Sequence, residues 1–181
     1  MSDTTPSIAV EFKRVMKSFG AKRVLNDVSF RIEQGRSLCL LGRSGTGKSV
    51  TLKLIMALMR PDSGEVLVDQ DNVVGLGEHG LSHVRKKLGY LFQDAALFDS
   101  LTLYENLALP LSRLTKKSKD EIDDVIRRVL AALIIVTHDV HGARRVADQI
   151  AVLDKGNVVA FGSVDEVSQS ENEVARRLIT E

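Results

Sequence analysis

The stretch Leu38-Cys39-Leu40-Leu41-Gly42-Arg43-Ser44-Gly45-Thr46-Gly47-Lys48-Ser49 decides the fold of this chain. Its first four residues form a continuous apolar run, which is typical of a strand covered on both faces. The next eight have the pattern of a glycine, four residues, and then Gly-Lys-Ser, and apolar residues follow at helical spacing. Glycines in such a loop let backbone N–H groups turn inward around phosphate oxygens at the start of a helix. A strand, a loop and a helix therefore follow in the order that a phosphate-binding site requires.

Two side chains at the end of this loop have distinct expected tasks. Lys48 would reach the β- and γ-phosphates of a nucleotide as a point charge, and the Ser49 hydroxyl would be a ligand of a bridging Mg²⁺. The alternative interpretation is a glycine-rich turn with an incidental Lys-Ser pair. The residues predicted to bind the nucleotide phosphates are Gly42, Arg43, Ser44, Gly45, Thr46, Gly47, Lys48, Ser49 and Val50.

Strand patterns and helix patterns alternate outward from the loop in both directions. Alternating apolar residues predict an antiparallel pair of strands near the start, and later apolar runs predict strands that are separated by amphipathic helices. This alternation predicts an α/β domain with a mostly parallel sheet. The predicted strands are 8–12, 28–32, 38–41, 65–69, 88–92, 134–136 and 150–153, and the predicted helices are 49–60, 81–87, 118–133, 140–147 and 164–179.

The composition is that of an ordinary globular domain. The chain has 181 residues, of which 44% are hydrophobic and 27% charged, and its net charge of +1 gives no reason to expect a nucleic-acid partner. No apolar run approaches the roughly 20 residues that span a bilayer. The start of the chain lacks the basic and apolar regions of a signal peptide. We therefore expect any contact with a membrane to be made through a partner protein.

Three further residues stand out by their positions. Phe19 precedes the loop, Gln93 follows the predicted strand 88–92, and His138 follows the predicted strand 134–136. Taken singly, an aromatic residue among strands is more often part of the core, and a lone histidine after a strand is more often structural. Taken in order with the glycine-rich loop, however, they resemble the motifs of the nucleotide-binding subunits of ABC transporters.

This resemblance implies a role for each of these residues. In that family the aromatic residue stacks on adenine, which would be the role of Phe19, and Phe keeps the required π face. The glutamine, here Gln93, touches Mg²⁺ and the attacking water and senses the membrane partner. The histidine, here His138, contacts the γ-phosphate and positions the nucleophile. The implied catalytic residues are Lys48, Gln93 and His138, the implied metal ligands are Ser49 and Gln93, and the implied cofactors are ATP and Mg²⁺.

The resemblance also implies an architecture and partners. The fold would be a P-loop NTPase core with a mostly parallel sheet, an N-terminal antiparallel β part and a truncated helical subdomain. The subunit would work as a homodimer docked on transmembrane permease subunits at the cytoplasmic side of the inner membrane. Residues 91–111, together with Val50, are similar to the ATPases of bacterial phospholipid-trafficking importers. Phospholipid is therefore the implied transported substrate.

Two motifs of the family are missing between Gln93 and His138. These are a Leu-Ser-Gly-Gly-Gln-like signature, which in the family closes over the γ-phosphate of the opposite subunit, and an apolar strand that ends in Asp-Glu, whose carboxylates organise Mg²⁺ and polarise the attacking water. We therefore expect one ABC-type domain over 1–181, with a β part and P-loop core at 1–93, a partial helical subdomain at 94–133, a C-terminal core at 134–181 and a missing segment at 133/134. Two explanations of the missing segment stay open: the segment is deleted from the protein, or this sequence is part of a longer protein.

The sequence leaves three functional hypotheses. The first is the ATPase subunit of a transporter. The second is a subunit or fragment that binds nucleotide without hydrolysing it, and the absence of the acidic pair favours this second hypothesis. The third, an unrelated small-molecule kinase with a phosphate loop, leaves Gln93 and residues 137–139 unexplained.

Overall fold

A computed structural model describes residues 7–85, 103–129, 132–136, 140, 144 and 147–180 of the chain. The elements of the N-terminal part are β1 (Ile8–Phe19), β2 (Lys22–Glu33), β3 (Arg36–Leu41), α1 (Lys48–Ile55), β4 (Ser63–Val68), β5 (Asp71–Asn72) and α2 (Glu78–Arg85). The later elements are α3 (Leu103–Leu114), α4 (Lys119–Val129), β6 (Ala132–Val136), β7 (Gln149–Asp154), β8 (Asn157–Gly162), α5 (Val164–Ser168) and α6 (Glu173–Thr180).

The N-terminal strands form an antiparallel sheet in the order β2-β1-β4-β5. β1 and β2 form a long hairpin, because Gly20 and Ala21 make a tight turn between them. Phe12 and Phe30 lie opposite each other on this hairpin, and their rings stack with centroids 4.6 Å apart. Both rings are buried, so the inner face of the sheet is part of the hydrophobic core. The predicted antiparallel pair is confirmed, and both strands are longer than predicted.

The strand before the glycine-rich loop lies in the middle of a second sheet, in the order β6-β3-β7-β8. β3 is parallel to both of its neighbours, whereas β8 is antiparallel to β7. Successive residues of β3 point into two different apolar clusters, with Leu38 and Leu40 in one and Cys39 and Leu41 in the other. Apolar layers therefore cover both faces of β3, as its continuous apolar run predicted.

A carboxylate joins the beginnings of β3 and β7. Asp148 Oδ2 accepts hydrogen bonds from the backbone N–H and the hydroxyl of Ser37, both at 2.7 Å, and the Asp148 N–H donates to Ser37 Oγ at 2.9 Å. These donors from Ser37, aided by the nearby Arg36 guanidinium, hold the pKa of Asp148 below its usual range. The reciprocal bonds hold the two parallel strands in register at the end opposite the loop.

Several predicted helix boundaries are wrong. The helix predicted over 49–60 ends at Ile55, because the backbone of Ala57 turns into the left-handed region with φ of 50°. The helix predicted over 118–133 ends at Val129, since β6 begins at Ala132. The helix predicted over 164–179 is two helices, and β8 was not predicted. Residues 88–92 and most of 140–147 lie outside the described part of the chain.

Helices α3 and α4 pack against each other in the predicted partial helical subdomain. α4 begins as predicted, because the Glu121 carboxylate accepts from Ser118 N–H at 2.7 Å while Glu121 N–H donates to Ser118 Oγ at 3.3 Å. The Tyr104 hydroxyl on α3 donates to Asp123 on α4. In the described ranges no helix combines the length and apolar character needed to cross a bilayer.

Candidate functional site

The glycine-rich loop and the tip of the β1–β2 hairpin enclose one pocket of about 560 Å³. The loop begins where β3 ends, and it leads into α1 at Lys48. The residues that line the pocket are Phe19, Lys22, Val24, Gly42, Arg43, Ser44, Gly45, Gly47, Lys48, Ser49 and Val50. Nine of the ten residues predicted to bind the nucleotide are therefore brought together, Thr46 being the exception.

Thr46 turns inward and supports the loop. It is 8% exposed, and its hydroxyl donates to the Arg43 carbonyl at 2.9 Å. The next threonine, Thr51, is fully buried and donates to the Gly47 carbonyl at 3.1 Å. The Thr46 and Thr51 hydroxyls therefore both support the loop from its buried side, and the predicted binding of phosphate by Thr46 as part of the loop stays a prediction.

Two glycines let the loop lie directly against neighbouring strands. Gly42 has φ of 150°, and a Cβ on it would come 2.4 Å from the Leu153 carbonyl oxygen. Gly47 has φ of 107°, and a Cβ on it would come 2.7 Å from Leu25 Cδ2. A side chain at either position would collide with β7 or β2. The loop backbone therefore lies directly against β2 of the first sheet and β7 of the second sheet.

Lys48 turns its ammonium group back onto the loop. Its Nζ donates to the Gly42 carbonyl at 2.6 Å and to the Arg43 carbonyl at 3.0 Å. The residue is 9% exposed, and burial lowers the pKa of the Lys48 ammonium. A cation that is held by weak carbonyl acceptors at the wall of a pocket is poised to exchange them for a stronger anionic acceptor.

The start of α1 adds to this attraction for anions. Gly47 occupies the cap position, and no side chain caps the helix there. The first turn of α1 also contains no acidic residue. Its first N–H groups and the positive end of the helix dipole therefore face the pocket without a competing carboxylate on the helix itself. Ser49 lies in the same turn, is exposed and lines the pocket.

The hairpin supplies an aromatic ring opposite the loop. Phe19 is the last residue of β1, and 48% of it is exposed although it is a large apolar residue. It pairs with Lys22, which also lines the pocket together with Val24. Lys22 and Val24 were not among the residues predicted from the sequence. Their signal was the strand alternation, because residues two apart on β2 share one face.

Gln93 and His138 lie outside the described residues, so their predicted roles stay predictions. The strand before His138 is nevertheless described, because β6 ends at Val136, which pairs with Leu40 of β3. β3 and β6 are parallel, so their carboxyl ends share the edge of the sheet from which the glycine-rich loop leaves. In the described ranges, no group of three or more His, Cys, Asp or Glu residues could hold a metal ion.

The two Asp-Glu pairs of the chain both open helices. Asp120-Glu121 begins α4 and Asp165-Glu166 begins α5. Glu166 accepts from Ser163 N–H at 2.7 Å, as Glu121 does from Ser118 N–H, and these hydrogen bonds lower the pKa of both glutamates. Both carboxylates therefore cap helices, and neither pair lies within or directly at the end of a described strand.

Known proteins are similar to this chain both in sequence and in fold. The family model described as ABC transporter matches residues 25–157. A dimeric ATP-binding cassette in a post-hydrolysis state bound to ADP and Pi superimposes with a TM-score of 0.62 at 23% identity, covering 85% of this chain and 98% of that one. This likeness shows the fold.

Three relatives by sequence differ in length and in name. A probable ribonucleotide transport ATP-binding protein of Mycobacterium leprae is 44% identical over 123 residues, which are 68% of this chain and 35% of the relative. The chloroplastic protein trigalactosyldiacylglycerol 3 of Arabidopsis thaliana is 40% identical over 127 residues, 70% of this chain and 36% of that protein. The chain thus spans about a third of the length of these two curated relatives.

The third relative matches nearly the whole chain. A methionine import ATP-binding protein of Leifsonia xyli is 28% identical over 239 positions, which take in 94% of this chain and 70% of the relative. Since 94% of 181 residues is about 170, about 70 aligned positions of that relative have no counterpart here.

Proposed function

The chain belongs to the ABC transporter family, and from this premise we propose that it is the ATP-binding subunit of a transporter that moves phospholipid. Its part in the transport cycle is to bind Mg²⁺-ATP between the glycine-rich loop and the hairpin. The observation that carries this proposal is the shared pocket, in which Phe19 lies across from Lys48 and the uncapped start of α1.

The pocket fits each part of the nucleotide. The triphosphate lies along residues 42–50, where Lys48 exchanges its two carbonyl partners for phosphate oxygens. Adenine stacks on the Phe19 ring, because an exposed aromatic face at a pocket wall suits a flat base. The Ser49 hydroxyl is exposed beside the phosphate position and would be one ligand of Mg²⁺, which neutralises charge between the β- and γ-phosphates.

Calorimetric titration of the purified chain tests the ATP site. We expect saturable binding of one Mg²⁺-ATP per chain, with ADP binding within about tenfold of ATP and AMP at least about 100-fold weaker than ATP. AMP is the discriminating ligand, since it keeps the base for Phe19 but lacks the β- and γ-phosphates for Lys48. Equal affinities for AMP and ATP would contradict the assignment of the loop, and the absence of ATP binding would contradict the proposal as a whole.

The proposed assembly is a homodimer on transmembrane permease subunits at the cytoplasmic side of the inner membrane. The dimeric state of the ADP-bound cassette to which the chain is similar supports it. In that assembly, Lys48, Gln93 and His138 would surround the γ-phosphate, with Gln93 as a further Mg²⁺ ligand.

Phospholipid is the substrate that we propose. The similarity of residues 91–111 to phospholipid-trafficking ATPases supports it, and so does the plant relative, whose name refers to a galactolipid. The mycobacterial relative is named for ribonucleotides, a different class of molecule. Transport of a lipid needs a membrane subunit with an apolar path, whereas transport of a ribonucleotide needs a polar path.

Purification of the subunit together with its membrane partners separates these substrates. We expect mass spectrometry of the isolated complex to find phospholipid in stoichiometric amount. In proteoliposomes that contain the complex and added phospholipid, we expect ATP to change the fluorescence of a labelled lipid. Uptake of a labelled ribonucleotide without lipid movement would contradict the lipid proposal and leave the ATP site intact.

A second candidate function is a subunit that binds ATP and signals without hydrolysing it. The observation that favours it is the use of both Asp-Glu pairs as helix starts, with Glu121 and Glu166 bonded to serines. The roughly 70 positions of the methionine importer relative that have no counterpart here support it further. The two candidates share the ATP site and differ in the release of phosphate.

A further inference from the structure

The proposed adenine platform, Phe19, stands at a hairpin tip that has little packing of its own. The ring is 48% exposed and is the last residue before the Gly20–Ala21 turn. A ring that is to stack on a base gains affinity when it is held in place beforehand, because binding then costs less side-chain entropy. A contact near the tip of the hairpin is therefore needed to hold the Phe19 ring in place.

Asp62 supplies such a contact from outside the hairpin. Its carboxylate accepts from the Lys17 ammonium and from Ser18 N–H, each at 2.6 Å, and its own N–H donates to the Met16 carbonyl at 2.9 Å. The last backbone pair between β1 and β4 is Met16 with Ser63. Asp62 therefore continues the ladder by side-chain bonds over the two residues before Phe19.

The same ion pair fixes a cation on the ring. Lys17 is held by Asp62 with its side chain 16% exposed, and its Nζ lies 5.6 Å from the centroid of the Phe19 ring. This is within the range of a cation–π interaction. The hydrogen bonds from Lys17 and Ser18 hold the pKa of the Asp62 carboxyl below its usual range.

We propose that Asp62 is a positioning residue for the adenine platform. Its carboxylate holds the Phe19 ring in place through Lys17 and Ser18. The inference rests on the proposed function, because it assumes that Phe19 stacks on adenine. Asp62 also lies on the segment that leaves α1, the helix whose first residue is Lys48. One short stretch of chain thus connects the phosphate-binding helix to the base-binding ring.

Replacement of Asp62 by asparagine tests the inference, with two ligands as probes. Mg²⁺-ATP contacts both the loop and the ring, whereas inorganic triphosphate with Mg²⁺ contacts the loop alone. We expect Asp62→Asn to weaken ATP binding by about threefold to tenfold, the scale of one aromatic stacking contact, and to leave triphosphate binding within about twofold of the wild type. Asp27→Asn is the matched control, since Asp27 forms an exposed 3.2 Å ion pair with Arg14 on the same hairpin.

A double-mutant cycle with Phe19→Ala gives a readout that a merely structural role would not produce. If Asp62 acts through the ring, Asp62→Asn has no further effect on ATP affinity once Phe19 is alanine. Undiminished ATP binding by Asp62→Asn, or an equal loss of ATP and triphosphate binding, would overturn the inference while leaving the proposed function in place. A wild-type chain that binds neither ligand would overturn the proposed function and this inference with it.

Discussion

Replacement of Lys48 by alanine is expected to lower the affinity for Mg²⁺-ATP by about 100-fold, because it removes charge-assisted hydrogen bonds to phosphate of about 1.5–3 kcal/mol. The ammonium lies at the pocket wall, bonded to the Gly42 and Arg43 carbonyls. Since burial lowers its pKa, the charged group already has a desolvation cost in the free protein, which phosphate would offset. Calorimetry or competition with a fluorescent nucleotide measures the change.

Lys53→Ala is the matched control for this prediction. Lys53 stands in the last turn of the same helix and is exposed, so its removal changes the net charge equally without touching the pocket. We expect Lys53→Ala to bind ATP within about twofold of the wild type, as is usual for an exposed charge away from a site. We also expect both variants to keep the wild-type circular dichroism spectrum. ATP binding that survives Lys48→Ala undiminished would show that the nucleotide site lies elsewhere.

The central fold and most residues of the candidate pocket could be predicted because their signals are local. The apolar run of β3 and the glycine pattern after it are contiguous, and φ values of 150° at Gly42 and 107° at Gly47 explain why glycine is needed there. Phe19 could be singled out by its order relative to the loop, although its place across the pocket depends on how the hairpin folds over the core.

The features that escaped prediction have no signal in the local sequence. Asp62 follows Pro61 in an ordinary turn sequence, and nothing local indicates that its carboxylate reaches Lys17, 45 residues earlier. The end of α1 at Ile55 depends on a left-handed residue, Ala57, for which alanine carries no signal.

The second candidate function predicts that the chain binds ATP yet releases phosphate at least about a thousandfold more slowly than the roughly 1 per second at the low end of ordinary enzymes. A positioned base contributes about 10²–10⁴-fold to such reactions, and the sequence lacks the acidic pair that would act on the attacking water. Steady-state phosphate release, measured with and without membrane partners at saturating ATP, is the test. Turnover near 1 per second would exclude the second candidate function.

A chimera sharpens this test. Insertion between Leu130 and Ala131, in the connection between α4 and β6, of about 70 residues of the methionine import relative, those that follow its counterpart of α4, is expected to raise phosphate release while changing ATP affinity little. The physical reason lies in the connection between α4 and β6. α4 ends at Val129 and β6 begins at Ala132, so two residues connect them, and the resemblance to ABC transporter subunits predicts a signature motif and a strand ending in Asp-Glu in this region. β6 moreover pairs with β3 along its length without a register shift across 133/134. β6 is therefore continuous beside the glycine-rich loop, and we expect the inserted segment to add the acidic pair that acts on water while it leaves the loop unchanged.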